Sequence, residues 1–329
     1  MTGLFKAAVR AFALTCAVVL APLAAHAEDI VVTHYASLLY GTPYAVALEK
    51  GYFKDAGVDV SGVLTSKGGG TSVRNMMAGD TLFAEVALPA ALSAIKEGFK
   101  IKIVSGGTDG PSGFWVTRPD APINKPEDLK GKRFVFSRPK SVSEAQIFAI
   151  LKSHNIPVSD VKMVAIGDFG AGITALEHDK VDVAIIPEPI YSQKIKEGAK
   201  YKVLDWLDAK VPPSNQTVGI ATDETIAKRA DKLKAVIEAR RRGVEFIYKD
   251  PKQAAAIVAK AYNLAPDVAA SAIDNTLKQT ATWWSNGELK QPMLDEMANG
   301  LGAVGALDLP VDWKTVIAAG FAPPPSAKQ

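Results

Sequence analysis

The feature that most limits what this chain can become is an alternation of short apolar runs with helical patterns, broken twice by stretches that no regular element tolerates. Residues 30–33, 58–65, 82–87 and 101–105 read as strands, with helical patterns between them. Parallel strands need crossovers long enough to hold a helix, so the alternation predicts an α/β architecture built on parallel sheets. Gly106-Gly107-Thr108-Asp109-Gly110-Pro111-Ser112-Gly113 then interrupts the series. A second series follows, with strands at 114–117, 133–137, 161–166 and 181–186, until Val211-Pro212-Pro213-Ser214-Asn215 interrupts it again. The strand pattern at 217–222 can return to the first sheet, and from Asp223 onward the pattern is helical. Two breaks and one returning strand predict two lobes joined by two crossings.

Lys6 and Arg10 precede an apolar run at 11–20, followed by Pro22 and Ala25-His26-Ala27. This predicts a signal peptide over residues 1–27 with an Ala-x-Ala cleavage site, and a periplasmic protein that starts at Glu28. A spanning helix needs roughly 20 apolar residues, more than this run offers. Cys16, the one cysteine, is lost with the leader, so the exported chain must rely on a large core rather than on disulfides. Without Lys6 and Arg10 the formal charge of +3 becomes +1, with 36 basic residues against 35 acidic. Such a balance argues against nucleic-acid binding and against a membrane-surface role driven by charge.

The stretch 133–151 reads as a strand, a basic loop and a helix whose start is marked by Ser141-x-x-Glu144. Free amides at that start, beside Arg138, Lys140, Ser141 and Ser143, can receive an anion or an acceptor-rich ligand. Ser66-Lys67-Gly68-Gly69-Gly70-Thr71-Ser72 is not a phosphate loop, because its lysine precedes the glycines, yet it permits close approach of backbone to a ligand. His34, beside the same region, His154 and His178 lack metal-ligand spacing, so no metal or other cofactor is expected. No nucleophile elbow or Ser/His/Asp ordering is present, and the mature chain has no cysteine nucleophile, which favours a binding protein over an enzyme. Arg240-Arg241-Arg242 reads as a solvated helix face, and Trp283-Trp284 as packing under the C-terminal helices.

Glu49-Lys50-Gly51-Tyr52-Phe53 lies ahead of Gly57-Val58-Asp59-Val60, and Asp128-Leu129-Lys130-Gly131-Lys132 ahead of Val135. Ala175-Leu176 then precedes Val181-Asp182-Val183-Ala184 and Pro187-Glu188-Pro189-Ile190-Tyr191. In that order and spacing the mature chain resembles the solute-binding proteins of ABC transporters for sulfonates, taurine, nitrate and thiamine precursors. The resemblance implies a two-lobed periplasmic-binding-protein fold of type II, each lobe a mainly parallel sheet flanked by helices. Residues 28–110 and 215–322 would form one lobe, 111–214 the other, and 323–329 a disordered tail. It further implies a monomer that closes on one small polar or anionic molecule and passes it to a membrane permease with its ATPase.

Ligand contacts are implied at the carboxyl ends of the strands. In the first lobe these are Ser37, Leu38, Tyr40, Gly69, Gly70, Thr71, Glu85 and Ala87. In the second they are Arg138, Ser141, Ser143, Asp168 and Glu188, and more weakly Tyr191, with Tyr35 and Trp115 helping to cover the ligand. One departure stands out, because relatives offer small hydroxyl residues where this chain has Glu85. A carboxylate there repels a sulfonate unless it pairs with Arg138 across the closed cleft. Otherwise the ligand carries its own N–H donors, as taurine or a pyrimidine would, or Glu85 lies at a surface or lobe interface. An enzyme on the same fold, akin to thiamine-precursor synthases, and a ligand-sensing receptor domain are the alternative functions.

Overall fold

The computed structural model describes residues 28–324 except 112, 140 and 304. The expected signal peptide with Cys16, Lys140 of the basic loop, and residues 325–329 of the expected tail lie outside the described residues.

The chain begins with β1 (Glu28–Thr33), a 3-10 turn at Leu39–Gly41, α1 (Thr42–Glu49) and α2 (Tyr52–Asp55). It continues with β2 (Val60–Ser66), α3 (Gly69–Ala78), β3 (Phe83–Ala87), α4 (Leu88–Lys96) and β4 (Ile101–Gly106). The second series comprises β5 (Phe114–Thr117), β6 (Arg133–Phe136), α5 (Val142–Ser153), β7 (Lys162–Ala165) and α6 (Phe169–Glu177). It ends with β8 (Ala184–Ile186), α7 (Ile190–Lys196) and β9 (Lys202–Val203). After it come β10 (Thr217–Thr222), α8 (Asp223–Lys228), α9 (Ala230–Lys249), α10 (Pro251–Tyr262), α11 (Pro266–Gln279), α12 (Gln291–Ala303) and α13 (Trp313–Val316).

The first sheet has the order β2-β1-β3-β10-β4. β1 runs parallel to β2 and β3, whereas β10 runs antiparallel to β3 and β4, with Val218 opposite Gly106. The direction follows from the route, because the chain leaves this sheet at Gly106 and re-enters at the same end. β1 is apolar without alternation since both its faces are covered. Val31 lies in one apolar cluster with Val73 and Met76 of α3 on one side, and Ile30 and Val32 lie in another with Leu233 and Val236 of α9 on the other.

In the second body β5 lies antiparallel between β8 and β9, while β6 and β7 are parallel. A bridge between Phe134 and Val183 joins the two groups. The alternation of β6 divides this core: Phe134 and Phe136 face Ile147 and Leu151 of α5, and Val135 faces Ile173 and Leu176 of α6. The crossings lie side by side, held by an Asp109–Asn215 bridge and by the Gln216 amide on the Thr108 carbonyl at 2.8 Å.

Of the three consecutive arginines only two are at the surface. Arg241 pairs with Glu238 and Glu245, and Arg242 pairs with Asp55 at 2.9 Å. Arg240 is 1% exposed, so reading the whole run as a solvated face is wrong for its first member. A helix turns 100° per residue, and Arg240 shares the inner face with Val236, Ile237, Val244 and Ile247.

Candidate ligand-binding site

Loops at the carboxyl ends of β1, β2, β3 and β6 and the turn before α6 surround a cavity of ≈ 260 Å³. On one wall β2 passes into α3, whose cap, Gly68, has no side chain to occupy the free amides of the first turn. The Ser66 hydroxyl donates to the Gly68 carbonyl at 2.9 Å and lies 2.7 Å from Ser72 Oγ. Thr33 Oγ1 is 2.7 Å from Ser72 Oγ and donates to the Glu85 carbonyl at 3.0 Å. This hydroxyl chain fixes the glycine loop to β1 and β3. A side chain at Gly69 would put its Cβ 2.7 Å from Ala90 Cβ, so the start of α3 sits directly on α4.

The opposite wall is the turn from β6 into α5. Ser141 Oγ accepts from the Glu144 amide at 3.2 Å, the cap expected from its spacing. Ser143 Oγ accepts from the Ser137 amide at 3.0 Å and lies 3.0 Å from Ser141 Oγ. Arg138 Nε donates to the Gly167 carbonyl at 3.1 Å, and its guanidinium reaches across to Gly68, where a Cβ would lie 3.2 Å from Nη1. An aromatic wall closes the end. Tyr40 stacks on Trp283 with centroids 5.5 Å apart, and His34 lies 6.4 Å from Tyr40 and 6.3 Å from Phe169. Burial first, then Arg138 and Lys67, pushes the His34 imidazole down to about 4, so this ring is neutral at pH 7.

The charged side chains among the described residues lining the cavity, Lys67, Arg74 and Arg138, are all cationic. The starts of α3 and α5 add about half a unit of positive charge each. Each helix start stabilises an anion by only about 0.3–1 kcal/mol when exposed, so the site depends on several loops meeting.

Tyr40, Gly69, Gly70, Thr71, Ala87, Arg138, Ser141 and Ser143 come together on this cavity. The other expected contacts do not. Ser37 is exposed and its hydroxyl donates to the His34 carbonyl at 3.0 Å. Leu38 is buried in the apolar cluster under α9 and α10. Asp168 caps α6, accepting from the Ala171 amide at 2.9 Å. Glu188 is buried and ties the turn before α7 to α11, accepting from Ser192 Oγ at 2.9 Å and Asn275 Nδ2 at 2.8 Å. Tyr191 stacks on Phe114, Tyr35 packs on Tyr262, and Trp115 belongs to the core of the second body. Thr33, Ser137 and Phe169 were not anticipated, although Thr33 ends β1 and Ser137 follows β6, where strand ends face the cavity.

Glu85 pairs with Arg240, not with Arg138. Its Oε2 accepts from Tyr44 at 2.6 Å and from Arg240 Nε at 2.9 Å, and its Oε1 accepts from Thr217 at 2.8 Å. Arg240 also donates to the Ser285 carbonyl at 2.7 Å and the Gly107 carbonyl at 2.6 Å. Glu85 is 1% exposed, and burial, followed by Glu85 itself, raises the Tyr44 hydroxyl well above its ordinary value, so the phenol keeps its proton. The carboxylate is thereby a structural anchor, with its charge paired to Arg240.

The family model described as NMT1/THI5 like matches residues 39–254. A Bacillus subtilis (strain 168) protein provisionally named as a binding protein, YtlA, is 28% identical over 172 residues, covering 51% of this chain and 50% of that protein. The chain thus spans about half the length of this curated relative. Among solved structures, the periplasmic aliphatic sulphonate binding protein SsuA from Escherichia coli superposes with a TM-score of 0.71 at 15% identity, over 88% of this chain and 97% of that one. The desulfurization enzyme DSZB superposes with a TM-score of 0.58 at 15% identity, over 89% and 97%. At these identities the likeness is one of fold: a two-lobed periplasmic-binding-protein architecture.

Proposed function

This chain belongs to the NMT1/THI5-like family, and from that premise we propose that it is the solute-binding component of an ABC importer, taking a small organic anion into the cavity between β2–α3 and β6–α5. The observation that carries this reading is the lining: Lys67, Arg74, Arg138 and two helix starts face the cavity, with no carboxylate among its described residues. Donors of that kind favour a sulfonate, a sulfinate or the acidic end of a taurine-like molecule over a pyrimidine. The neutral ring of His34, with Tyr40 and Phe169, suits the apolar part of the ligand. On this reading the protein acts in the periplasm, closes by a hinge at the crossings near 110/111 and 214/215, and presents the closed form to a permease.

Calorimetry with a panel of alkanesulfonates and taurine tests it. Arg138→Ala should weaken the best anion at least tenfold, and an unchanged affinity would remove Arg138 from the site. Recovery of the ligand unaltered after binding fits a carrier. Turnover would instead make the chain an enzyme, as DSZB is on the same fold.

A further inference from the structure

A second cavity, of ≈ 310 Å³, lies under the two crossings and shares no lining residue with the first. Its walls are apolar: Pro111, Trp115, Ile150, Val211, Pro212 and Met297. Its charge is the reverse of the cleft's, because Asp109, Asp208 and Glu296 line it and no lysine, arginine or histidine does among the described residues.

Asp109 is 1% exposed. Its Oδ1 accepts from Asn215 Nδ2, but Oδ2 is buried without a hydrogen-bond partner among the described residues. A buried carboxylate oxygen left unpaired is costly, and a donor carrying positive charge would relieve that cost. We propose that this cavity is a second small-molecule site, for a compact organic ammonium ion whose N–H groups meet Asp109 and Asp208 and whose apolar body fills the space beside Trp115 and Val211.

The setting of both carboxyls agrees with a cation site. Burial pushes Asp109 up to about 7, with Lys290 and Arg240 pulling it back and Glu288 adding to the rise. Burial also pushes Asp208 up to about 6, with Asp205 contributing. Both are ionised at pH 8. The proposal does not depend on what the cleft binds.

The test is calorimetry at pH 8 with benzylammonium and, as its uncharged counterpart of the same shape, benzyl alcohol. Benzylammonium should bind one to one and at least tenfold tighter than the alcohol, and Asp109→Asn should weaken it at least tenfold. Asp208→Asn, at a less buried position, should also weaken it and decides the matter if the first variant does not fold. Absence of binding, equal affinity for the alcohol, or affinity unmoved by the substitutions would overturn the assignment, as would displacement of the amine by a cleft anion.

Discussion

Arg240→Met should lower the free energy of unfolding by about 3–5 kcal/mol, because it leaves a buried carboxylate without its cation. Glu85 would keep Tyr44 and Thr217 as donors but lose the charge that offsets its desolvation. The loss should be wide in reach, since the pair joins β3, α9, the crossing at Gly107 and the loop at Ser285. Urea unfolding of Arg240→Met, Glu85→Gln and the double variant separates the contributions. The double variant should recover much of the loss, as a neutral amide no longer demands a cation. A single-variant cost below about 1 kcal/mol, the size of an exposed ion pair, would mean that the pair does not hold the lobe together.

The second large effect depends on pH. Asp109 has an ordinary value of 3.8 and is pushed up to about 7 in the fold. Well below pH 3.8 the carboxyl is protonated in both states and imposes no penalty. As pH rises, the unfolded chain releases this proton first, so stability falls until the folded carboxyl has also ionised above pH 7. Every tenfold difference in proton affinity between the two states is worth about 1.36 kcal/mol, so the full loss is about 4 kcal/mol. Asp109→Asn removes that dependence while keeping an acceptor for Asn215. The variant should therefore gain on the parent protein as pH rises from 4 to 8, by up to about 4 kcal/mol. A difference in unfolding free energy that stays constant over this range would show that the carboxyl is not held protonated.

Much of the architecture was legible in local pattern. The alternation of apolar runs and helices located the strands, and the Ser141 spacing identified a cap that the structure bears out. What escaped were partners far apart in sequence: Glu85 and Arg240 stand 155 residues apart, and a run of three arginines suggested solvent. A helical count would have helped, because Arg240 falls in register with Val236, Ile237, Val244 and Ile247. Asp168 and Glu188 lie at strand ends, where contacts are expected, but local structure takes up their carboxylates: one caps α6 and the other holds Ser192 and Asn275. Sequence position located the rim of the cleft, and hydrogen-bond competition decided which rim residues remain available.

β10 lies between β3 and β4, and every residue from 107 to 216 comes before it in the chain. A growing chain that has made only its first series therefore holds two strands whose shared neighbour does not yet exist. Their pairing waits on a loop closure of over a hundred residues, which slows folding more than it lowers stability. The order of the strands thus delays completion of the first sheet until the chain has been made past Thr217, and ties the setting of the first lobe to the presence of the second.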